Sequence, residues 1–192
     1  MKEPMKYILS IDPSGAFKEG KGTTGWCLFS ATCDRILLVG EISAKDYKTP
    51  MDYWQAHKKL ILDTQEYLDI TYKAYYLRVV IEDYLLYAHK ANSQINSRME
   101  TSQLLGILKT ALYEEGLPYR TRPAGQVLKR WSNKILLRKE YINKYKNRIC
   151  FLKTPLNGHI LDSIRHAVHE STFYMDKPCE NEEEKNELRK NS

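Results

Sequence analysis

The chain has 192 residues, a net charge of +6 and 42% hydrophobic residues, which suits one globular domain with a buried core. No apolar run approaches the roughly 18 residues of a membrane span, and the apolar stretch near the N-terminus is too short for a signal peptide. The four cysteines form no C-x-x-C pair, which gives zinc or thioredoxin-like chemistry little support. We therefore expect a cytoplasmic protein with reduced thiols and no membrane partner.

The charge is unevenly placed along the chain. Residues 119–153 hold eleven Lys or Arg and a single acid, with five aromatic residues among them. Basic residues interleaved with aromatic ones favour a polyanion such as nucleic acid, although a solvated basic surface is the common alternative. Residues 176–192 hold six acids and four bases. This composition predicts a single domain over residues 1–175 and a charged, disordered tail over residues 176–192.

The first predicted element is a buried strand over residues 6–12. It is a nearly continuous apolar run that ends in Asp12, as is typical of a strand covered on both faces. Pro13 and Gly15 end it, because proline cannot donate to the ladder and glycine favours a turn. Asp12 is thus expected at a strand end that a ligand can reach. A local turn in which the Asp12 side chain bonds its own backbone is the alternative.

Residues 20–25 match the dinucleotide-binding pattern G-x-G-x-x-G. That site requires a helix directly after the glycines, whereas residues 26–30 are strand-like. The glycines therefore predict a hairpin loop, and residues 35–42 predict a third strand. Two short connections make the first three strands an antiparallel meander.

Pro50 opens the next element, a helix with a stripe at helical spacing that we expect to face the core. The stripe consists of Met51, Trp54, Ile61, Leu68 and Tyr72. Residues 77–83 then form a fourth strand, again an apolar run that ends in acid. A strand–helix–strand unit implies a right-handed crossover and a parallel partner. If that partner is the first strand, Asp12 and Glu82 lie side by side.

The remaining elements are a long helix over residues 97–115, a short strand over 119–121, short helices over 123–131 and 138–146, and a last helix over 159–174. The last helix has two faces. One carries apolar residues, and the other carries His159, Asp162, His166 and His169. A solvated polar face is the usual explanation, and a zinc site formed by His159, Asp162 and His166 is an alternative.

Asp12, Glu82 and Asp162, together with His159, form a predicted carboxylate cluster. Such a cluster is too repulsive to ionise without cations, and oxygen ligands favour Mg²⁺ or Mn²⁺ over zinc. Two such ions about 4 Å apart activate a water molecule and stabilise the leaving oxygen of a phosphodiester. A basic surface beside this cluster is the arrangement of a nuclease.

Five motifs in the order and spacing of one family now identify a resemblance. They are Ile11-Asp12-Pro13-Ser14, Thr24-Gly25-Trp26, Val80-Ile81-Glu82, Ser102-Gln103-Leu104-Leu105-Gly106, and His159 followed by Asp162-Ser163 and Arg165-His166-Ala167. The chain resembles the RuvC family of Holliday-junction resolvases, within the ribonuclease H-like superfamily. The resemblance implies an α/β fold with a five-stranded mixed sheet in the order 3-2-1-4-5, flanked by helices. It also implies a homodimer that acts on four-way DNA junctions.

The resemblance also suggests roles for particular residues. It makes Asp12, Glu82 and Asp162 the ligands of two Mg²⁺ (or Mn²⁺) ions, and His159 matches a position where the family has Asp or His. Lys139 aligns with a catalytic lysine. Lys129 lies about one residue from the position of another. The remaining predicted DNA contacts are two candidate wedge residues, Tyr84 and Tyr87, and the cations Arg120, Arg122, Lys129, Arg130, Lys134 and Arg138.

Several alternatives remain open from the sequence. The wide divergence from cellular members is typical of a bacteriophage-type protein. The leading hypothesis is a metal-dependent endonuclease that cuts branched DNA in pairs of nicks. The alternatives are a ribonuclease H-like nuclease for RNA or unbranched DNA, and a catalytically degenerate protein that binds DNA junctions.

Overall fold

The computed structural model describes residues 3–18, 20–83 and 91–179, with the backbone alone for residues 91–99 and 126. The eight strands are β1 (Met5–Asp12), β2 (Thr23–Ser30), β3 (Arg35–Ser43), β4 (Tyr75–Asp83), β5 (Tyr119–Pro123), β6 (Asn143–Tyr145), β7 (Arg148–Phe151) and β8 (Thr154–Pro155). The five α-helices are α1 (Pro50–Thr71), α2 (Ala91–Glu114), α3 (Ala124–Leu128), α4 (Asn133–Arg138) and α5 (Gly158–Phe173). A short 3₁₀ helix, Ala44–Asp46, follows β3.

The main sheet has the strand order β3-β2-β1-β4-β5. Strands β1, β2 and β3 form an antiparallel meander, whereas β4 runs parallel to β1 and β5 runs parallel to β4. The predicted strand order, the antiparallel meander and the parallel pairing of β4 with β1 are confirmed. In particular, α1 provides the crossover that brings β4 beside β1.

Helices cover both faces of the main sheet, and the alternation of side chains along β1 assigns each residue to a face. Tyr7, Leu9 and Ile11 pack in one core with residues of α1 and α2. Ile8 packs in the other core, with residues of α3, α4 and α5. Because both faces are covered, the sequence of β1 is a nearly continuous apolar run.

Helix α1 begins where it was predicted, because the Thr49 hydroxyl accepts a hydrogen bond from the backbone N–H of Asp52 and Pro50 occupies the first turn. The predicted core stripe is partly wrong. Ile61 and Leu68 are fully buried, but Met51 is 55% exposed. Met51 lies in the first turn, before the helix reaches the sheet. The buried face instead begins with Tyr53 and His57.

The helix predicted over residues 138–146 is not present. Helix α4 ends at Arg138, and Glu140 adopts a positive φ of 61°. Strands β6, β7 and β8 then form a separate three-stranded antiparallel sheet. Lys146 and Asn147, at the tip of its first hairpin, both have positive φ, of 47° and 62°. Two successive left-handed residues close a tight hairpin and cannot continue a helix.

The end of the described chain contacts the domain. Asp176 lies 2.7 Å from the ammonium group of Lys6, and Cys179 is fully buried. The first four residues of the predicted tail, 176–179, are therefore in contact with the fold, and residues 180–192 lie outside the described residues. Within the described ranges, no helix is long and apolar enough to cross a membrane.

A buried ion cluster joins α5 to the edge of the main sheet. The Glu170 carboxylate is fully buried and lies 2.9 Å from Arg78, 3.3 Å from Arg120 and 2.9 Å from Arg122. Arg122 also stacks on Tyr174, with its guanidinium carbon 3.6 Å from the ring centroid. Arg120 and Arg122 are two of the residues predicted to contact DNA. From their positions in β5 both guanidinium groups are turned toward Glu170.

We expect Glu170→Ala to lower the free energy of unfolding by about 3–5 kcal/mol, because it leaves three largely buried guanidinium groups without their shared counter-charge. Urea denaturation followed by circular dichroism measures this loss. Glu114→Ala is the matched control. Glu114 is 52% exposed in its 2.8 Å ion pair with Lys58, so its removal costs less than about 1 kcal/mol. Equal losses in the two variants would contradict the structural role of Glu170.

Candidate active site

A cavity of about 210 Å³ opens at the end of β1 and β4, beside the first turns of α5. It brings together the three carboxylates and the histidine that the sequence analysis selected. Its lining residues are Asp12, Pro13, Ser14, Glu82, Asp83, Thr101, His159 and Asp162. The site is thus built from two neighbouring strand ends, one loop and two helices.

The parallel pairing of β1 with β4 places Asp12 and Glu82 together. Ile11 pairs with Ile81, so the next residue on each strand reaches the same end of the sheet. Ile11 and Ile81 pack in the core under α1 and α2. Because strand side chains alternate, Asp12 and Glu82 face the opposite side, where α5 lies.

Gly25 allows α5 to reach the carboxylates. It pairs with Asp12 across β1 and β2, and a Cβ atom built at Gly25 would lie 2.2 Å from the carbonyl carbon of His159. No side chain fits there, so the start of α5 can lie directly against β2. Asn157 caps the helix by accepting a hydrogen bond from the Ile160 N–H, and it also bonds the Glu41 carboxylate of β3. These contacts fix His159 and Asp162 beside the strand ends.

A closed ring of hydrogen bonds holds the loop that follows Asp12. The Ser14 N–H donates to the Thr24 hydroxyl, and the Tyr53 hydroxyl donates to the Ser14 carbonyl. His57 completes the ring: its Nδ1 donates to the Tyr53 carbonyl, and its Nε2 accepts from Thr24. Burial lowers the pKa of His57 to about 4, so the imidazole is neutral at pH 7. Its two nitrogens can then play opposite roles, which the ring requires.

Asp12 and His159 form a close pair at the cavity wall. His159 Nδ1 lies 2.7 Å from Asp12 Oδ2. Burial, together with the charges of Glu82 and Asp162, raises the pKa of Asp12 to about 6. The hydrogen bond to Asp12 raises the pKa of His159 above its usual value. Near neutral pH this site therefore holds a proton more firmly than ordinary side chains would.

The other two carboxylates have their own partners on α5. His166 Nε2 lies 2.9 Å from Glu82 Oε2, and Arg165 bonds Asp162. Burial raises the pKa of Asp162 in spite of this arginine. Because each acid is turned toward a separate partner, no three His, Cys, Asp or Glu side chains of the described residues are already gathered at metal-ligand spacing.

The donor chemistry of the site fits divalent cations that prefer oxygen. Three partly or largely buried carboxylates share one small cavity, and burial together with the repulsion of the other two acids raises the pKa of Asp12. A cation placed among them would offset that repulsion. A zinc site of His159, Asp162 and His166 does not fit, because the Nε2 of His166 is directed to Glu82 and the side chain is buried.

The other predicted site residues that the structure describes lie outside the cavity lining. The ammonium group of Lys139 lies 5.8 Å from the centroid of the Trp131 ring, and Lys129, Arg130, Lys134 and Arg138 are exposed on or beside α3 and α4. Tyr84 and Tyr87 lie outside the described residues. His166 and Arg165, which hold Glu82 and Asp162, were not assigned these roles. The sequence signal for both roles is the spacing of three and four residues from Asp162 on one helix.

The comparisons with known proteins give a likeness in structure without a detectable likeness in sequence. No family model matches the chain, and no curated protein sequence matches it. The structure described as Thermus thermophilus RuvC in complex with a Holliday junction substrate superposes with a TM-score of 0.60 at 16% identity, covering 91% of this chain and 98% of that one. A second Thermus thermophilus RuvC structure gives a TM-score of 0.52 at 15% identity, covering 90% and 98%. The chain therefore has a RuvC-like, ribonuclease H-like fold, as the strand order predicted.

Proposed function

We propose that this protein is a metal-dependent endonuclease that resolves Holliday junctions or other branched DNA by paired phosphodiester cleavage. The observation that carries the proposal is the meeting of Asp12, Glu82 and Asp162 in one cavity of a RuvC-like fold. The superposed Thermus thermophilus protein was solved with a Holliday junction. The exposed cations that follow α3 and lie on α4 supply charge for a polyanionic substrate.

Asp12, Glu82 and Asp162, with His159, are the residues that would hold two Mg²⁺ or Mn²⁺ ions. When bound, such a pair of cations supplies electrophilic assistance to phosphodiester hydrolysis. The chain's own contribution is orientation. The hydrogen-bonded ring around His57 holds the loop after Asp12, and His166 holds Glu82. In neutral form His159 can ligate a cation or accept a proton from water.

The proposal includes a homodimer, because paired nicks on opposed strands require two active sites related by a two-fold axis. Helix α2 is the proposed interface. A Cβ atom built at Gly106 of α2 would meet nothing within 4 Å, so this point of the helix is open to close approach. A bacteriophage-type origin also remains part of the proposal.

A cruciform plasmid tests the proposal directly. Coordinated nicking of an extruded junction in Mg²⁺ yields linear plasmid, whereas independent nicks yield open circles. A synthetic four-way junction, linear duplex and RNA–DNA hybrid of matched sequence separate the alternatives. Cleavage of the hybrid or of linear duplex in preference to the junction would favour a general ribonuclease H-like nuclease. Junction binding without any cleavage would favour a degenerate binding protein.

Asp12→Asn, Glu82→Gln and Asp162→Asn are each expected to abolish cleavage while retaining junction binding, because they remove cation ligands and leave the basic surface intact. A gel-shift assay in EDTA and a cleavage assay in Mg²⁺ measure the two properties. Substantial cleavage by any one variant would remove that residue from the site.

Asp12→Asn is also expected to increase stability. The pKa of Asp12 is raised to about 6 in the folded protein, so folding favours the protonated form, and the stability this confers is lost as pH rises through 6. The neutral amide should therefore raise the free energy of unfolding at pH 8 in EDTA by on the order of 1–3 kcal/mol. The gain should shrink as pH falls below 6. Mg²⁺ should stabilise the wild type and not the variant, and the opposite result would contradict a cation site at Asp12.

His159→Ala is expected to lose most activity and His159→Asp to retain much more, since an oxygen ligand can replace the imidazole. Protons compete for the Asp12–His159 pair, and both pKa values are raised. The wild-type rate should therefore fall as pH drops toward the pKa of Asp12, about 6, and the Asp variant should lose less as pH falls. Single-turnover cleavage against pH decides this. A His159→Ala protein that cuts like the wild type at every pH would leave the metal site to the carboxylates alone.

His166→Ala is expected to weaken Mn²⁺ binding and cleavage by about 10- to 100-fold, because the Glu82 carboxylate loses the donor that orients it. His166→Gln retains a donor near the position of Nε2 and should recover part of the loss. Calorimetric titration with Mn²⁺ measures the affinity. His169→Ala is the matched control. His169 is also buried on α5, but it accepts from Trp131 and does not contact a cavity carboxylate. Equal loss of Mn²⁺ affinity in both alanine variants would indicate a general effect on folding.

A further inference from the structure

The three-stranded sheet of β6, β7 and β8 stands apart from the main sheet. Its inner side is anchored to the domain: Cys150 is buried, and Ile149, Phe151 and Leu156 pack on the core under α5. Its outer parts are exposed, with Tyr145 at 45% and Leu152 at 71%. The small sheet is thus a fixed base that carries two projecting connections.

The backbone at both connections is tightly turned. Lys146 and Asn147, between the paired residues Tyr145 and Arg148, have φ values of 47° and 62°, which is the geometry of a two-residue hairpin whose twist matches its strands. In the second connection Leu152 has a φ of 55°. Short, closed connections have little backbone freedom, so a ligand that binds them orders little of the main chain.

The exposed side chains of this sheet have one sign of charge. Residues 143–155 contain four cations, Lys144, Lys146, Arg148 and Lys153, and no acid. All four are exposed, and none of them takes part in an ion pair among the described residues. The Lys146 ammonium lies 5.6 Å from the centroid of the Tyr145 ring. Uncompensated cations beside an exposed aromatic ring are suited to a phosphate backbone.

The small sheet lies close to the cavity along the chain. Strand β8 ends at Pro155, and His159 follows four residues later in the first turn of α5. Four residues span at most about 14 Å even when fully extended. At about 3.4 Å per base pair, this corresponds to roughly four base pairs of duplex. A DNA arm that leaves the cavity on the side of β8 would therefore pass within reach of this sheet.

We propose that the small sheet is a clamp for the duplex arm next to the scissile phosphate. This rests on the proposed function and deepens it: Lys144, Lys146 and Lys153 neutralise phosphates a few base pairs from the cut, and Tyr145 packs against the backbone. The clamp increases the affinity for the junction and positions the duplex arm along the protein, but it touches no reacting atom. Its removal therefore weakens binding and leaves the chemical step of the bound complex unchanged.

The test compares two triple variants with the same loss of charge, Lys144→Gln/Lys146→Gln/Lys153→Gln and the control Arg35→Gln/Lys59→Gln/Lys73→Gln. Arg35 and Lys73 lie at the start of β3 and just before β4, at the end of the sheet away from the cavity, and Lys59 lies on α1. Junction affinity in EDTA is measured over a series of salt concentrations. The clamp variant should bind at least about tenfold more weakly, and its slope of log affinity against log salt should be smaller by up to about 0.9 per lost contact. The control should stay within about twofold of the wild type.

A modified junction locates the contact. Neutral methylphosphonates replace the phosphates three to seven nucleotides from the cut in one arm. This junction should weaken wild-type binding and leave the clamp variant nearly unaffected, since that variant has already lost the contacts. At saturating enzyme, all proteins should share one single-turnover rate.

Three results would count against the clamp, and they are distinguishable. Failure of the wild type to bind or cut any junction would overturn the proposed function and the clamp together. Normal junction cleavage with equal binding by the clamp and control variants would overturn the clamp alone. A weakened clamp variant that remains equally sensitive to the methylphosphonates would also overturn it, because its cations would then act elsewhere. Urea denaturation checks that both triple variants fold.

Discussion

The site depends on how closely α5 can approach the sheet. At Gly25 the separation is so small that a Cβ atom would lie 2.2 Å from the carbonyl carbon of His159. This contact puts the first turn of α5 directly over the ends of β1 and β4. The helix then supplies a partner to each carboxylate: His159 to Asp12, Arg165 to Asp162 and His166 to Glu82. A side chain at position 25 would move all three partners together.

The packing on both sides of the sheet also holds Asp12 in place. The loop after Asp12 cannot move freely, because Ser14 is bonded to Thr24 and Tyr53, and Gly15 donates to the Thr101 hydroxyl of α2. His57 holds this arrangement from α1 through its two ring nitrogens. Fixing a carboxylate in a buried place costs free energy when it ionises, and the raised pKa of Asp12 is the measure of that cost. Perturbed pKa values of this kind are common at functional sites.

The fold and the main acids could be predicted from the sequence because their signals are local. The apolar run of β1 ends in an acid, the run of β4 does so too, and the crossover rule for α1 brings both ends together. Asp162 and His159 could be selected because three residues separate them on one helix. Periodicity and chain direction are enough to predict these positions, without knowledge of distant contacts.

The contacts that the sequence does not predict join residues that are distant along the chain. Arg122 is a residue type that commonly contacts DNA, but in the interior it pairs with Glu170, which lies 48 positions further along the chain. Nothing local distinguishes a buried arginine from an exposed one. His166 was likewise placed on a polar face, and only the packing of α5 shows that this face is buried against Glu82. The small sheet was missed because Lys146 and Asn147 adopt left-handed conformations without glycine.

The two ends of α5 differ in their effect on nearby acids. The first turn of a helix carries a partial positive charge, which offsets part of the cost of ionising Asp12 beside His159. Glu170 lies in the last turn, where the helix disfavours an acid. Three arginines offset that penalty and the cost of burying the carboxylate, and two of them come from β5. The two arginines of β5 are thereby withdrawn from the exposed basic surface. The exposed cations lie beyond β5: they directly follow α3, lie on α4 and lie on the small sheet, along the chain segment that leads back into the first turn of α5.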